Sequence, residues 1–329
     1  MSGQTVRWGI LATGGMAAAF TEDLLREPEA RVTAVGSRSA DGARRFAERF
    51  GIPRAHGTWR ELAADPEVDV VYVATPHAHH LAAATACLEA GKPVLCEKPF
   101  ALSGRQTRAL VELADKQGLF LMEAMWTYVN PTVRRVADLV ADGAIGEVRA
   151  LHASFGGRVT VPPEHRLWDP AAGGGALLDL GTYPVSFAHL LLGVPDSVTA
   201  HARLSERGVD AQTGVLLGYA DGAMAVLTCS LLADDERRAV VYGTAGRIEI
   251  PADFYNPRSF VLHRDGHEPQ TVTAPPQRGN GYGHQAREVM RCLRAGLTES
   301  PLVPLAGSLA VMDTLDKVRE LVGVRYPGE

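Results

Sequence analysis

The residues best suited to chemistry stand in a few short runs. Glu97-Lys98-Pro99 follows Val94-Leu95-Cys96, which reads as the end of a buried strand. Two adjacent charges at that place are costly unless partnered. The carboxyl edge of an open α/β sheet is also where ligands bind. Pro99 restricts Lys98 to extended geometry and fixes the exit of the chain, so the ammonium is aimed. Read alone, the triplet fits a surface salt bridge at a strand end as well as it fits a site.

A second run, Ala12-Thr13-Gly14-Gly15-Met16-Ala17, lies between a strand expected over 6–11 and a helix expected to about Arg26. Gly14 and Gly15 let the backbone come close to a ligand. The helix start adds free N–H donors and a partial positive charge, which together suit a pyrophosphate. The run reads A-x-G-x-x-A against the dinucleotide fingerprint G-x-G-x-x-G/A. The next strand, expected over 31–37, ends Gly36-Ser37-Arg38 without the carboxylate that would hold the 2′-hydroxyl of NAD. Arg38 can pair with a 2′-phosphate and Ser37 can donate to it, so the cofactor reads as NADP, with NAD the second choice. The competing account of Arg38 is a solvated loop charge.

A strand over 68–74 ends in Thr75-Pro76-His77-Ala78-His79-His80. The histidines raise the question of a metal, but no Cys, Asp or Glu stands at ligand spacing, and no metal is expected. His79 and His80 fall in the first turn of the following helix, and Thr75-Pro76 lines the nicotinamide end of a groove. Thr13, Met16, His80 and Glu97 join the expected cofactor contacts.

These runs need a scaffold. Strands and helices alternate to about Ala124, which predicts a doubly wound parallel sheet over residues 1–124. From residue 125 to 329 the texture changes. A helix expected over 176–192 follows Gly173-Gly174-Gly175, and then come strands in close succession with an Asp221-Gly222 hairpin signal. That is an α+β domain with a large open, mainly antiparallel sheet. Two helices, over 282–295 and 305–322, finish the chain, with a mobile loop expected over 275–281. The formal charge of -5 offers no basic face for nucleic acid. No apolar run is long enough for a membrane helix, and Met1 to Arg7 has no signal-peptide core. The cysteines, Cys87, Cys96, Cys229 and Cys292, form no C-x-x-C pair. A reducing cytoplasm is expected.

Ala12 to Ala17, Ala74-Thr75-Pro76, Glu97-Lys98-Pro99 and Gly173-Gly174-Gly175-Ala176-Leu177-Leu178-Asp179-Leu180-Gly181-Thr182-Tyr183-Pro184 fall in the order found in the glucose–fructose oxidoreductase and inositol dehydrogenase (Gfo/Idh/MocA) family, which the chain resembles over essentially its whole length. Met122-Glu123-Ala124-Met125-Trp126 looks like the dimeric dihydrodiol dehydrogenase branch, which includes D-xylose dehydrogenases. The resemblance implies a Rossmann domain followed by an α+β domain, a last helix that packs back on the Rossmann domain, and a homodimer through the open sheet. It implies that Lys98 is catalytic, that Asp179 and Tyr183 flank the substrate, and that Trp126, Phe155 and Trp168 line its pocket. Ala12 departs from the commoner glycine, and alanine fits there if its φ stays negative.

The implied reaction is reversible hydride transfer between nicotinamide and a carbon bearing a hydroxyl, on a sugar, polyol or trans-dihydrodiol. Its hydroxyl proton must also move. A free phenol, with a pKa of about 10, is a poor base at neutral pH. An ammonium beside Tyr183 would stabilise its phenolate, and Lys98 could equally hydrogen-bond the alkoxide. Asp179 and Tyr183 are four apart on one helical face; charge compensation at the helix start explains Asp179 equally well. The alternatives are reduction of a keto-sugar or nucleotide-linked sugar, and a non-enzymatic NADP-sensing regulator, which would need no Lys98 with Tyr183.

Overall fold

A computed structural model describes residues 5–276 and 278–327. The chain forms two compact units. The first comprises Met1–Ala101, Arg105–Trp126 and Gln277–Ser308; the second comprises Leu102–Gly104, Thr127–Pro276 and Leu309–Glu329.

In the first unit, strands β1 (Val6–Leu11), β2 (Ala30–Gly36), β3 (Arg54–His56), β4 (Val70–Val73), β5 (Val94–Cys96) and β6 (Leu121–Glu123) alternate with helices α1 (Gly15–Leu24), α2 (Ala40–Phe50), α3 (Trp59–Ala63), α4 (His80–Glu89) and α5 (Gly104–Gln117). The sheet order is β3-β2-β1-β4-β5-β6 and every pairing is parallel. Helices cover both faces, so β4 and β5 are continuous apolar runs, and β1 is buried along its length except at Arg7. β3 has only three residues and two of them are exposed, which leaves no periodic signal to read. The helix starts follow from their caps. Ser39 accepts from the Gly42 N–H to begin α2, and Thr58 with Glu61 forms a reciprocal capping box on α3. Trp8, Phe20 and Tyr72 are fully buried and packed ring on ring; each contributes about 2–3 kcal/mol by burial. The strand order reverses between β1 and β4, the place where such sheets take ligands.

The chain enters the second unit through α6 (Trp126–Val129) and α7 (Pro131–Ala141), whose Asn130 cap accepts two backbone N–H groups. Strand β7 (Val148–Gly156) follows, then α8 (Thr182–Leu192) and strands β8 (Ser197–Leu204), β9 (Asp210–Gly218), β10 (Met224–Ser230), β11 (Ala239–Gly243), β12 (Gly246–Ile250), β13 (Ser259–Arg264) and β14 (Gln270–Thr273). They form one sheet in the order β14-β13-β12-β11-β7-β10-β9-β8, antiparallel except for the β7–β10 pair. The helix expected over 176–192 is in two pieces, a π-helical turn at Leu177–Gly181 and then α8. Burial alternates along β9 and β10, so one row of side chains packs inward while Leu216, Met224 and Val226 stay exposed. Helices α9 (Gly283–Arg294) and α10 (Leu305–Val322) end the fold. Among the described residues no helix is long and apolar enough to cross a membrane.

Candidate active site

The β1–α1 turn presents a bare helix start. Gly14 caps α1 without a side-chain hydrogen bond, and the first turn carries no acidic residue. A Cβ placed on Gly14 or Gly15 would meet nothing within 4 Å. There is therefore open space beside the turn through which a ligand can come close to its backbone. Thr13 is half-buried, Met16 is 39% exposed beside them, and the buried Thr75 hydroxyl at the end of β4 has no protein partner. An open glycine cradle, a helix dipole and an orphaned hydroxyl fit a dinucleotide. At Ala12 the expectation of a negative φ fails. Its φ is 116°, a conformation in which glycine would be comfortable, and its N–H donates to the Gly36 carbonyl at 2.9 Å.

Arg38, at the end of β2, is exposed, and one guanidinium nitrogen lies 3.4 Å from His79 Nε2. Ser37 is half-buried and its hydroxyl accepts from the Ser39 N–H at 3.4 Å. His80 is buried between the carbonyls of Thr75 and Pro99, each 2.8 Å from a ring nitrogen. Neither nitrogen is left for a ligand, so His80 ties the Thr75-Pro76 edge to the Lys98-Pro99 bend instead of reaching a cofactor itself. Burial, with a smaller push from the Lys98 charge, brings its pKa down to about 4 against the pull of the two carbonyls. Both neighbours are carbonyl acceptors, so the neutral ring donates to one of them and only a protonated ring could donate to both.

Glu97 is also buried. It accepts from the Tyr72 hydroxyl at 2.5 Å and from the Lys98 N–H at 3.2 Å. Burial raises its pKa, opposed by Tyr72 and by Lys98. Glu97 thus has two partners that hold the strand end rigid beneath Lys98, and the Lys98–Pro99 peptide is cis. On the adjoining strand Glu123 is buried as well, and desolvation brings its pKa up to about 7.

Trp126 stacks on Tyr282 with ring centroids 4.4 Å apart, and the Tyr282 hydroxyl donates to Met16 Sδ at 3.8 Å. Tyr282 is held in place by Asp23. That buried carboxylate accepts the backbone N–H groups of Asn280, Gly281 and Tyr282, each at 2.9 Å. The loop expected to be mobile over 275–281 is therefore anchored at its far end; Gln277 lies outside the described residues. Reading the sequence missed both Tyr282 and Asp23, because a helix-start tyrosine and a helix-end aspartate carry no local pattern.

In the second unit Gly174 and Gly175 are packed too tightly for side chains. A Cβ on Gly174 would lie 2.5 Å from the Arg166 carbonyl, and one on Gly175 would lie 2.3 Å from Asp210. Asp210, fully buried, accepts the Leu177 N–H and the Thr213 hydroxyl, both at 2.7 Å, and so sets the start of the π-helical turn. That turn carries Asp179, whose carboxylate pairs with the Arg166 guanidinium at 3.4 Å. One turn later Tyr183 is 8% exposed, with its ring 5.4 Å from Phe155 and 5.3 Å from Tyr255; Phe155 and Tyr255 stack at 4.6 Å. Trp168 is half-buried on the short 3-10 turn Arg166–Trp168 and makes no ring contact with this group among the described residues. The structure brings Phe155 and Tyr183 together and adds Arg166 and Tyr255, for which the sequence held no signal.

Residues 6–125 match the oxidoreductase family with the NAD-binding Rossmann fold, and residues 133–249 match the GFO/IDH/MocA C-terminal domain. Trans-1,2-dihydrobenzene-1,2-diol dehydrogenases resemble the chain along its length. The Bos taurus protein is 38% identical and the Macaca fascicularis protein 39% identical, each covering 98% of both chains. Among solved structures, the 3-ketoreductase KijD10 of Actinomadura kijaniata, in complex with NADP and TDP-benzene, has a TM-score of 0.87 at 30% identity, covering 98% of this chain and 99% of that one. The aldose-aldose oxidoreductase of Caulobacter crescentus has a TM-score of 0.88 at 25% identity, covering 97% and 98%. With this fold, this glycine cradle and these relatives, the chain belongs to the Gfo/Idh/MocA family of NAD(P)-dependent oxidoreductases.

Proposed function

We propose that the enzyme prefers NADP and moves a hydride between it and a hydroxyl-bearing carbon of a ring-shaped polyhydroxylated substrate, a trans-dihydrodiol or a sugar. The observation that carries this reading is the aromatic group Phe155–Tyr183–Tyr255 together with the Asp179–Arg166 pair on the π-helical turn. Flat rings take the faces of a sugar or cyclohexadiene ring, while an ionised carboxylate accepts hydrogen bonds from vicinal hydroxyls. The dihydrodiol dehydrogenases at 38–39% identity support the same substrate class. NADP rests on Arg38 and Ser37, with no carboxylate at the end of β2.

In this reading the nicotinamide supplies or accepts the hydride at its C4. Gly14, Gly15 and the start of α1 bind the pyrophosphate. Glu97 holds Lys98, whose ammonium stabilises negative charge on the substrate oxygen. Tyr183 carries the hydroxyl proton, and Asp179 orients the neighbouring hydroxyl. Trp126 and Trp168 wall the pocket. Residues 1–124 bind the cofactor, while residues 125–329 bind the substrate and form a homodimer through the open sheet. Four unpaired, buried cysteines suit a cytoplasmic enzyme.

The test is a screen of NADP(H) and NAD(H) against trans-dihydrodiols, sugars, polyols and keto-sugar nucleotides, followed by steady-state kinetics of Lys98→Met, Tyr183→Phe and the double variant. Tyr183→Phe should lower kcat by roughly 10²–10⁴ and alter the pH profile. The double variant should lose little more than the worse single, because the two act as a unit. Turnover of nucleotide-linked keto-sugars alone would transfer the reading to a reductase. Near-wild-type kcat for Tyr183→Phe would leave the proton to Lys98.

A further inference from the structure

Arg38 and His79 face each other with nothing negative between them. The Arg38 guanidinium nitrogen and His79 Nε2 are 3.4 Å apart, at the outer limit of a hydrogen bond. Among the described residues no carboxylate bonds to either one; nearby Asp41 pairs with Arg44 instead. The groups around His79 are Arg38 from the end of β2, the edge of the Trp59 ring from α3 at 5.9 Å, and the neutral, buried His80 beside it in the chain. Two nitrogen-rich side chains on separate elements meet at an exposed edge, each with donor capacity to spare, and both can turn toward one anion with several acceptor oxygens.

We propose that His79 is a second ligand of the cofactor's 2′-phosphate and shares it with Arg38. The proposal rests on the NADP reading above and adds a residue and a proton to it. In the free enzyme burial, and then the Arg38 charge, keep His79 neutral. A phosphate between the two side chains reverses that balance. His79 becomes protonated and donates through Nε2, while Arg38 turns from His79 to the phosphate oxygens. Binding of NADP(H) then takes up a proton near neutral pH, and binding of NAD(H) does not. Affinity for NADPH should rise as pH falls through the range where the bound His79 charges, until the phosphate's own protonation near pH 6 opposes it.

The experiment is calorimetric titration of NADPH and NADH into wild type, His79→Gln and Arg38→Ala. Each is run at several pH values in buffers of different ionisation enthalpy, so that proton uptake is read directly. His79→Gln should weaken NADPH by roughly tenfold, the loss of one charged hydrogen bond, and should abolish the extra proton uptake. NADH should shift less than about twofold. Unchanged NADPH affinity and proton uptake in His79→Gln would overturn the proposal. Equal weakening of both cofactors would also overturn it and would place His79 against the adenosine common to both. The NADP reading fails separately, if Arg38→Ala leaves the NADPH-to-NADH ratio untouched. If only Arg38→Ala changes that ratio, the NADP reading stands and His79 has no part in it.

Discussion

Ala12 has a φ of 116° in a region that alanine visits only under strain. The position is the first of the fingerprint, where the chain leaves β1 and must turn at once toward the bare start of α1. Such a conformation costs about 1–3 kcal/mol for a residue with a Cβ. Replacing it by glycine removes the strain but adds about 0.4–1 kcal/mol of unfolded-state entropy. Ala12→Gly should therefore stabilise the first unit by about 1 kcal/mol, read as a higher urea midpoint at unchanged slope. An unchanged or lower midpoint would mean that the turn carries no strain. The sequence alone displays the substitution but not its sign. A fingerprint lists residue types, whereas φ at Ala12 belongs to the path of the chain as it leaves β1 for α1.

At the scale of elements, the carboxyl ends of β5 and β6 carry two buried carboxylates on paired strands, since Cys96 lies opposite Glu123 and Glu97 follows. Desolvation raises both pKa values, and Glu97 raises that of Glu123 further. Glu123 Oε1 has no hydrogen-bond partner, as suits a carboxyl that keeps its proton. A carboxyl pKa raised from 4.5 to about 7 makes the folded state the better proton binder. The stability this provides is complete below about pH 4.5 and is lost as pH rises through about 7. Glu123→Gln, which mimics the protonated acid, should leave stability nearly unchanged at pH 5 and raise it at pH 8. The gain should be on the order of 3 kcal/mol, taking the full shift at 1.4 kcal/mol per unit. Denaturation curves at the two pH values decide this, and a variant that is equally destabilised at both would show a purely structural role. The strand ends themselves were legible from the apolar runs that precede Glu97 and Glu123. The alternation of strand and helix was equally plain, since long amphipathic periods and caps such as Thr58 with Glu61 are local properties. The π-helical turn was not legible. It depends on Asp210, thirty-odd residues later, reaching back to the Leu177 N–H. For the same reason Arg166 was invisible as the partner of Asp179, although both stood in view in the sequence.

At the scale of the whole molecule, the eight-stranded sheet of the second unit carries a row of exposed side chains on its central strands. Across that row Leu216 lies opposite Val226, Val226 opposite His152, and His152 opposite Val240; one pleat along, Met224 is opposite Ala150 and Ala150 opposite Tyr242. Leu216, Met224, Val226 and Tyr242 are 37–49% exposed. These side chains make a mainly apolar surface on central strands, interrupted by His152. A flat sheet face can pack on its own copy about a two-fold axis, because each row then meets itself in reverse. The wild-type protein should therefore scatter light as a dimer at micromolar concentration. Val226→Asp places a charge in the middle of the face in both copies, where burial would leave it unpaired. That variant should run as a monomer with an unchanged circular dichroism spectrum. A wild-type chain that is already monomeric, or a Val226→Asp chain that remains a dimer, would remove this face from the interface. The first result would also leave the exposed row without a physical role.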